Sequence, residues 1–369
     1  MFKRKGTEKL FRLMEEQEFD AIMIAPSSDM EYLIDYNAHV DERLNCLVLL
    51  QNGDHFHISP MLNYEEAKNK YEEGSKFYIW SDGDGFLDTV VKSFKEYGLE
   101  GKKIGVNYSI RAIDMIDIGK LIQVEFKNAH RLLEEFRIIK TEDEVKYMKE
   151  AGRIADEVML DIKGFIRPGV TEQEVCEEIV RLYGEKGAES ISFDPIVAAG
   201  PNSSMPHYNE GTRVIEKGDN VVVDCGCRYN NVCSDTSRTF FVGEPSADQR
   251  KIYEICKKST FAAQEFARAG ATAGEVDKVA RDIIEGEGYG ENFLNRTGHG
   301  IGFSVHEAPY IKPNSTQALE DGMAFSIEPG IYISGKFGMR VENILVIENG
   351  EAVSVNHSPT DIEDVIIHL

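Results

Sequence analysis

Two aspartates interrupt a stretch of sequence that otherwise has the pattern of a pair of β-strands. In residues 221–243, VVVDCGCRYNNVCSDTSRTFFVG, Asp224 and Asp235 stand among apolar and β-branched residues. Strands of this composition rarely contain aspartate, because a buried, unpaired carboxylate loses its hydration. The two side chains therefore predict a site with a positive partner, for which a shared proton and a divalent metal ion are the candidates.

The separation of the two aspartates depends on the turn between the strands. A turn at Tyr229-Asn230 places them directly opposite each other, with Cβ atoms about 4.5–5.5 Å apart. A turn at Asn230-Asn231 makes them diagonal neighbours, which still allows them to share an ion. Arg238 lies three residues past Asp235 and so points to the opposite strand face, which excludes it as a partner of both acids.

Three further residues of metal-binding type follow along the chain. His299 lies between two glycines in TGHGIGFSVHEAPYI, Glu328 interrupts the apolar AFSIEPGIYI, and Glu342 lies in MRVENILVI. The flanking glycines are expected to let the backbone near His299 approach a ligand closely. Together with the two aspartates, these residues suit two divalent ions, Mn2+ or Co2+, with Zn2+ also compatible. A water molecule bridging such ions loses a proton readily, which indicates hydrolysis.

The composition restricts the classes of partner. The chain has 369 residues and a net charge of −23, which argues against nucleic acid or an anionic membrane surface. The charged N-terminus does not resemble a secretion signal, and no apolar run reaches membrane-spanning length, so a cytoplasmic location is expected. Cys225 and Cys227 are spaced too closely for the usual zinc sites and are interpreted as free, buried thiols.

The elements that must position these residues fall into two parts. Residues 1–132 alternate strand and helix patterns, which predicts a small α/β domain. Within this part, the strand patterns NCLVLL and HFHISP flank Asn52-Gly53, a strong hairpin signal.

Residues 133–369 contain a weak internal repeat. RPGVTEQEV, at 167–175, and RAGATAGEV, at 268–276, share a capping box and each opens a helical pattern. A third capping box at Thr141 and Glu144 begins a long helix. Because both copies lead into strand-rich sequence with histidines and acids, two related halves packed around one sheet are expected.

Taken in order, the five metal-binding residues resemble the ligand pattern of the creatinase/methionine aminopeptidase family, whose catalytic domain has the pita-bread fold. The segments that carry the resemblance are VVVDCG, CSDTSRTFFVG, GHGIGFSVHE, SIEPGIY and RVEN. The similarity covers nearly the whole chain and is greatest to the proline-specific members, aminopeptidase P and prolidase. It implies an α/β creatinase-type N-terminal domain at 1–132 and an α+β pita-bread catalytic domain at 133–369.

The resemblance implies a role for each metal-binding residue. Asp224 would bind one ion, His299 and Glu328 the other, and Asp235 and Glu342 would bridge both. It also implies that Arg340, which aligns with an arginine of the proline-specific members, braces a metal-binding aspartate, expected to be Asp224. Asn343 stands where many members have aspartate, a change expected to alter metal affinity.

Two histidines align with substrate-side histidines of the family. His207, in GPNSSMPHY, and His306 would donate hydrogen bonds that strengthen as a tetrahedral intermediate forms. Glu328 would carry the proton from the nucleophile to the leaving nitrogen. From the residues alone, each histidine is more simply explained as a structural residue in a Gly/Pro-rich segment.

The implied activity is hydrolysis of the Xaa-Pro bond at the N-terminus of a peptide. We expect an aminopeptidase first and an Xaa-Pro dipeptidase as the alternative, because Pro309 to Glu320 contains no arginine to hold a dipeptide carboxylate. Lys312 is the only cation in that segment. The resemblance further implies a homodimer, in which Glu42-Arg43 of one subunit is a candidate to reach the site of the other.

Three other classes share part of the pattern. A methionine aminopeptidase has the same ligands but typically lacks the N-terminal domain. A creatinase-like enzyme and a non-catalytic pita-bread binding module, the more remote alternative, lose most of the ligands. The presence of all five therefore favours a metallopeptidase.

Overall fold

The computed structural model describes residues 7–36, 38–71 and 74–369. The chain divides into two compact units, residues 1–137 and 138–369. The domain boundary predicted from the sequence, between residues 132 and 133, falls within the last helix of the first unit.

The first unit is built on a six-stranded mixed sheet. In chain order, its elements are α1 (Thr7–Glu16), β1 (Ala21–Ile24), α2 (Ser28–Ile34), β2 (Cys46–Leu50), β3 (His55–Pro60), α3 (Met61–Lys68), β4 (Lys76–Trp80), α4 (Leu87–Glu96), β5 (Lys103–Val106), α5 (Ala112–Leu121), β6 (Glu125–Asn128) and α6 (His130–Arg137). The strand order is β4-β3-β2-β1-β5-β6. The predicted hairpin is confirmed, since β2 and β3 pair antiparallel across a turn in which Gly53 has a φ of 90°.

The second unit carries all the predicted metal-binding residues. In chain order, its elements are α7 (Glu142–Phe165), α8 (Glu172–Glu185), β7 (Ser190–Ile191), β8 (Ile196–Ala199), a 3-10 helix (Gly200–Ser204), β9 (Asn220–Cys225), β10 (Cys227–Tyr229), β11 (Val232–Cys233), β12 (Thr236–Val242), α9 (Ala247–Phe266), α10 (Ala273–Gly286), a second 3-10 helix (Gly290–Asn292), β13 (Gly298–Gly300), β14 (Glu307–Ile311), β15 (Ala324–Ile327), β16 (Gly330–Ile333), β17 (Phe337–Arg340), β18 (Asn343–Glu348), β19 (Glu351–Ser354), α11 (Ile362–Val365) and β20 (Ile366–Ile367).

The internal repeat is visible in the helix starts. Thr141, Thr171 and Thr272 each form the predicted capping box at the start of α7, α8 and α10. Isolated β-bridges then join Thr171 to Val214 in one half and Thr272 to Ala318 in the other. Equivalent residues therefore make equivalent contacts about one hundred residues apart.

The prediction that the two related halves pack around one shared sheet is wrong. The two halves form separate hydrogen-bonded sheets, with strand orders β20-β12-β9-β8 and β14-β13-β15-β18-β19. They meet where the Glu342 amide donates to the Ser237 carbonyl oxygen at 3.1 Å.

Of the two turns that the sequence allowed between the aspartates, the structure has the one at Asn230-Asn231. Asn230 and Asn231 both have positive φ, 48° and 64°, as a tight hairpin turn requires. In the resulting register Ser237 is the Cα partner of Asp224. Asp235, two residues before Ser237, is therefore a diagonal neighbour of Asp224 on the same face.

The interpretation of the cysteines is confirmed in the described residues. Cys225 and Cys227 are free thiols buried in the main apolar core of the second unit. Among the helices described, none combines the length and apolar character needed to cross a membrane.

Candidate metal centre

Three of the predicted ligands form a tight cluster. Asp235 precedes β12, His299 lies in β13, and Glu342 connects β17 to β18. One donor atom from each of them lies within 4.8 Å of the other two. All three side chains are buried, with residue exposures of 4%, 2% and 1%.

Glu328 joins this cluster through His299. It follows β15, and its Oε1 lies 3.1 Å from His299 Nε2, which is also 3.8 Å from Asp235 Oδ2. The other ring nitrogen, Nδ1, is 3.0 Å from the Gly300 carbonyl oxygen and must donate to it. In the neutral ring, Nε2 therefore presents a lone pair to two carboxylates, an arrangement that a bound cation satisfies.

Asp224 is held at the edge of the cluster by Arg340. The Arg340 guanidinium donates to Asp224 Oδ2 at 2.6 Å, and this is the contact expected from the sequence. The same guanidinium donates to the Tyr332 hydroxyl at 2.7 Å and to Ser237 Oγ at 2.8 Å. Arg340 is thus fixed on several sides and can position Asp224 without occupying both of its oxygens.

The remaining carboxylate oxygens fit a metal site. Asp224 Oδ1, Asp235 Oδ1 and Glu342 Oε1 are buried and have no hydrogen-bond partner among the described residues. Buried acceptors normally have partners, so three such oxygens around one imidazole fit the binding of a cation. Five oxygen and nitrogen donors of this kind suit a hard or borderline divalent metal ion.

The electrostatics of the cluster agree with this geometry. Burial, followed by the charges of Glu342 and Asp224, raises the pKa of Asp235 well above its usual range. Burial, followed by the charges of Glu328 and Asp224, does the same to the pKa of Glu342. Burial also acts on Glu328, but the contact with His299 and the charge of Arg340 outweigh it, so its pKa is lowered.

The glycines beside His299 do not have the role expected from the sequence. A Cβ on Gly298 would lie 1.8 Å from the Ser326 carbonyl oxygen, and one on Gly300 would lie 2.1 Å from that of Ala308. Both glycines are therefore required by the close approach of neighbouring strands to β13. They position His299 but leave no space for a ligand at the backbone.

The two predicted substrate-side histidines lie at the exposed side of the cluster. The His306 ring packs edge-on against His299, with ring centroids 4.3 Å apart. Loss of hydration, followed by the charges of His299 and Arg296, lowers the pKa of His306 to about 4. His207 is exposed in the segment after the first 3-10 helix, where the neighbouring Pro206 carbonyl oxygen accepts from Arg340 at 3.4 Å.

Two serines complete the cluster and were missed by the sequence analysis. Ser237 Oγ accepts from Arg340 and donates to Glu342 Oε2 at 2.7 Å. Ser326 Oγ accepts from the His299 amide at 3.0 Å and donates to Glu328 Oε1 at 3.0 Å. Each serine lies two residues from a carboxylate in the same strand region, so the period of two was an available signal.

Asn343 also contacts the site indirectly. Its Oδ1 accepts at 2.8 Å from Arg238, which is fully buried and also donates to the Glu342 carbonyl oxygen at 2.6 Å. The asparagine thus helps to hold the backbone of Glu342 through a neutral acceptor.

Two family models match this chain. Residues 146–349 match metallopeptidase family M24, and residues 7–139 match the creatinase/prolidase N-terminal domain. The chain belongs to metallopeptidase family M24. It is therefore a peptide hydrolase of a family that implies divalent metal binding.

Relatives of this M24 peptidase align with it from end to end. The Xaa-Pro dipeptidase of Lactobacillus helveticus is 34% identical over 371 residues, which cover 98% of this chain and 99% of the relative. The solved structure of recombinant prolidase from Thermococcus sibiricus has a TM-score of 0.93 and 35% identity, covering 100% of this chain and 99% of that one. The X-Pro aminopeptidase of Thermotoga maritima has a TM-score of 0.84 and 28% identity, covering 98% and 99%. The shared two-domain architecture confirms the predicted fold class.

Proposed function

We propose that this M24 peptidase is an Xaa-Pro dipeptidase, which hydrolyses the bond between an N-terminal residue and a C-terminal proline. The observation that carries the proposal is the cluster of Asp235, His299 and Glu342, bordered by unpartnered carboxylate oxygens. End-to-end similarity to a protein named Xaa-Pro dipeptidase supports this substrate class. The names of the relatives favour the dipeptidase over the aminopeptidase that was expected first from the sequence.

The proposed centre would hold two divalent ions. Asp224 is assigned to one ion, His299 and Glu328 to the other, and Asp235 and Glu342 to both. When bound, ions of the Mn2+ or Co2+ type, or Zn2+, supply Lewis acidity that polarises a carbonyl group and acidifies bound water. The three unpartnered oxygens, and the His299 Nε2 that faces the carboxylates of Glu328 and Asp235, support this donor set.

The chain's own residues supply the remaining functions. Glu328 has a side-chain exposure of 16%, the largest among the clustered carboxylates, and can exchange a proton with a substrate nitrogen. A lowered pKa keeps His306 neutral at pH 7, so its ring can donate one hydrogen bond to a developing oxyanion. His207 is proposed to make a second such contact, while Arg340 positions Asp224.

The proposal is tested by comparing substrates after metal loading. Metal-free protein is loaded with Mn2+, Co2+ or Zn2+ and assayed on Ala-Pro, Ala-Pro-Ala and Met-Ala. A dipeptidase gives a kcat/KM for Ala-Pro that is about tenfold or more above that for the other two. Hydrolysis of Met-Ala alone would overturn the proposal in favour of a methionine aminopeptidase.

An Xaa-Pro aminopeptidase is the second candidate. The Thermotoga maritima relative is named as an X-Pro aminopeptidase and covers nearly all of the chain, although at 28% identity. Cleavage of Ala-Pro-Ala at least as fast as Ala-Pro would favour this candidate.

We also propose a homodimer, as the resemblance implies. The proposal that Arg43 of one subunit reaches the active site of the other has less support. Its guanidinium donates to both oxygens of Asp82, at 2.9 and 3.0 Å, and also pairs with Asp41 at 3.2 Å. Arg43 also pairs with Glu42 at 2.9 Å. An arginine bound to three carboxylates is a poor receptor for a fourth.

A further inference from the structure

The stretch of chain that carries His207, residues 199–213 and called the His207 segment below, is bound at both ends by one buried glutamate. Glu172 is the first residue of α8 and is fully buried. Its Oε1 accepts from the Ala199 amide at 2.7 Å, and its Oε2 accepts from the Arg213 amide at 3.0 Å. One carboxylate therefore holds the start and the end of the segment together.

A third donor to Glu172 also belongs to the His207 segment. The side-chain amide of Asn202 donates to Oε1 at 3.1 Å and to Oε2 at 3.2 Å. Such donors, together with the positive end of a helix, stabilise a carboxylate that has lost its hydration. Removal of the carboxylate would leave these buried amides without their acceptor. The side chain of Glu172 thus serves the segment rather than its own helix.

The internal repeat shows that the backbone of this region does not require a glutamate. Ala273 has in α10 the place that Glu172 has in α8, and it too is fully buried. The Glu172 amide donates to the Arg213 carbonyl oxygen at 3.0 Å. In the second half, the Ala273 amide donates to the Gln317 carbonyl oxygen at 2.8 Å. The same helix start and the same backbone contact therefore form with alanine.

The first half differs from the second in what the held segment carries. Within the His207 segment, Ser203 Oγ accepts from the Gly338 amide at 2.9 Å, and the Pro206 carbonyl oxygen accepts from Arg340 at 3.4 Å. These contacts bring the segment to the residue that holds Asp224. The His207 side chain itself is exposed, so its place beside the cluster depends on how the backbone of the segment is held.

We propose that Glu172 is a positioning residue, which holds both ends of the His207 segment and so places His207 for its hydrogen bond to the substrate. This inference rests on the proposed function, because it takes His207 as a donor to the developing oxyanion. Glu172 does not touch the substrate and acts only through His207. Displacement of a catalytic group by about 1 Å can lower a rate about a hundredfold.

The first test measures the kinetics of metal-loaded variants on Ala-Pro. Glu172→Ala should lower kcat about ten- to hundredfold, with unchanged metal content. KM should stay within about threefold of the wild-type value, because an oxyanion contact forms only in the transition state. Glu172→Gln keeps one acceptor oxygen and loses the other, so its kcat should lie between the two. It is also the second variant if Glu172→Ala fails to fold.

A double-mutant cycle separates positioning from a general loss of stability. In the His207→Ala background, Glu172→Ala should lower kcat by no more than about a further twofold, because the group that it positions is already absent. Equal losses of kcat in the wild-type and the His207→Ala backgrounds would overturn the inference.

Hydrogen–deuterium exchange gives a readout that does not depend on turnover. In Glu172→Ala, peptides that cover 199–213 should exchange about tenfold faster, because the Ala199 and Arg213 amides lose their acceptor. Peptides that cover 313–319, the equivalent backbone of the second half, should exchange as before. Unchanged exchange of the His207 segment would also overturn the inference.

Glu174 provides a matched control in the same turn of α8. Its exposed carboxylate accepts from the Thr171 amide at 2.7 Å. Glu174→Gln removes one negative charge from this helix start without touching the His207 segment, so kcat and exchange should stay at the wild-type values.

The outcomes distinguish this inference from the proposed function. Wild-type kcat in both Glu172 variants would overturn the inference and leave the dipeptidase intact. Full kcat in His207→Ala would overturn the role of His207 and the inference together. If the loaded wild type hydrolyses no Xaa-Pro peptide, the proposed function itself fails and the inference fails with it.

Discussion

At the scale of single residues, the bridging carboxylates give the sharpest expectation. Asp235 and Glu342 each have one unpartnered oxygen and both lie in the tight cluster with His299. Asp235→Asn or Glu342→Gln should remove activity and most of the bound metal while the fold survives, because each loss disrupts both proposed ions. Elemental analysis of the purified variants measures the bound metal, and circular dichroism measures whether the fold survives.

The control for this prediction is a buried carboxylate of the other unit. Asp114 is buried and pairs with Arg111 at 2.7 Å. Asp114→Asn removes one charge from the interior without touching the proposed site, so metal content should stay at the wild-type level. Normal metal content in Asp235→Asn or Glu342→Gln would contradict the assignment of these residues as ligands.

The substrate-side histidines should behave differently from the ligands. His207 and His306 lie on the exposed side of the cluster and supply none of its three closest donor atoms. His207→Ala and His306→Ala should therefore retain the metal and lower kcat by about 10²–10³-fold, the usual effect of removing one oxyanion donor. His357→Ala, at an exposed histidine elsewhere, is the control and should be fully active. A variant that loses its metal would reclassify that histidine as a ligand.

At the scale of elements, the identity of the site residues was easier to predict from the sequence than the strand pairing that brings them together. The aspartates stood out because Asp224 interrupts the apolar run of β9 and Asp235 directly precedes β12, a strand that is buried along its whole length. Their register was left open, although asparagine tolerates positive φ better than tyrosine and so favours the Asn230-Asn231 turn. The glycines around His299 were misassigned because a close approach between strands cannot be distinguished from a close approach to a ligand in one sequence.

Other elements were missed for reasons of length and distance. The short helices α1, α2 and α3 span seven to ten residues, too few for a periodic pattern to be decisive. The split into two sheets depends on long-range contacts such as that between Ser237 and Glu342, which no local pattern reports.

A buried histidine in the first unit predicts that the stability of this unit depends on pH. His57 in β3 is fully buried, with Nε2 2.6 Å from Asn45 Oδ1 and Nδ1 hydrogen-bonded to the Tyr71 hydroxyl. Burial lowers the pKa of His57 to about 3 in the folded state. In the unfolded chain, His57 takes up a proton below about pH 6.5. The stabilisation that the neutral, buried His57 contributes is therefore fully present above this pH and is lost as the pH falls towards 3.

The expected loss is large enough to measure. Between pH 7 and pH 5, His57 should reduce the free energy of unfolding of its unit by about 2 kcal/mol. Trp80, the single tryptophan of the chain, lies in the adjacent strand β4, so its fluorescence during urea unfolding reports on this unit. In His57→Gln this contribution to the pH dependence should vanish, whatever the variant's absolute stability. An identical pH slope in the wild type and in the variant would contradict the prediction.

At the scale of the whole molecule, the first unit has its own core but contains none of the predicted metal-binding residues. Large apolar side chains on its surface are unusually exposed, among them Met61 at 63%, Leu62 at 75%, and Ile113 and Ile116 at 60%. Exposed apolar residues that form a patch mark interaction sites in stable proteins. If the proposed homodimer forms, these side chains are candidates for its interface, and this would give the first unit a role.

Association of the proposed homodimer should strengthen as the salt concentration rises, because its two subunits carry net charge of the same sign. Each chain carries a net charge of −23, so two copies repel each other over the Debye length, which shrinks from about 30 Å at 0.01 M salt to about 8 Å at 0.15 M. Light scattering at micromolar concentration should give twice the 41.5 kDa chain mass, with association strengthening as salt is raised. Leu62→Asp adds a charge to an exposed apolar position and should weaken association, whereas Leu294→Asp, at a similarly exposed leucine of the second unit, should not. A fully active monomer at every salt concentration would show that the first unit has another purpose.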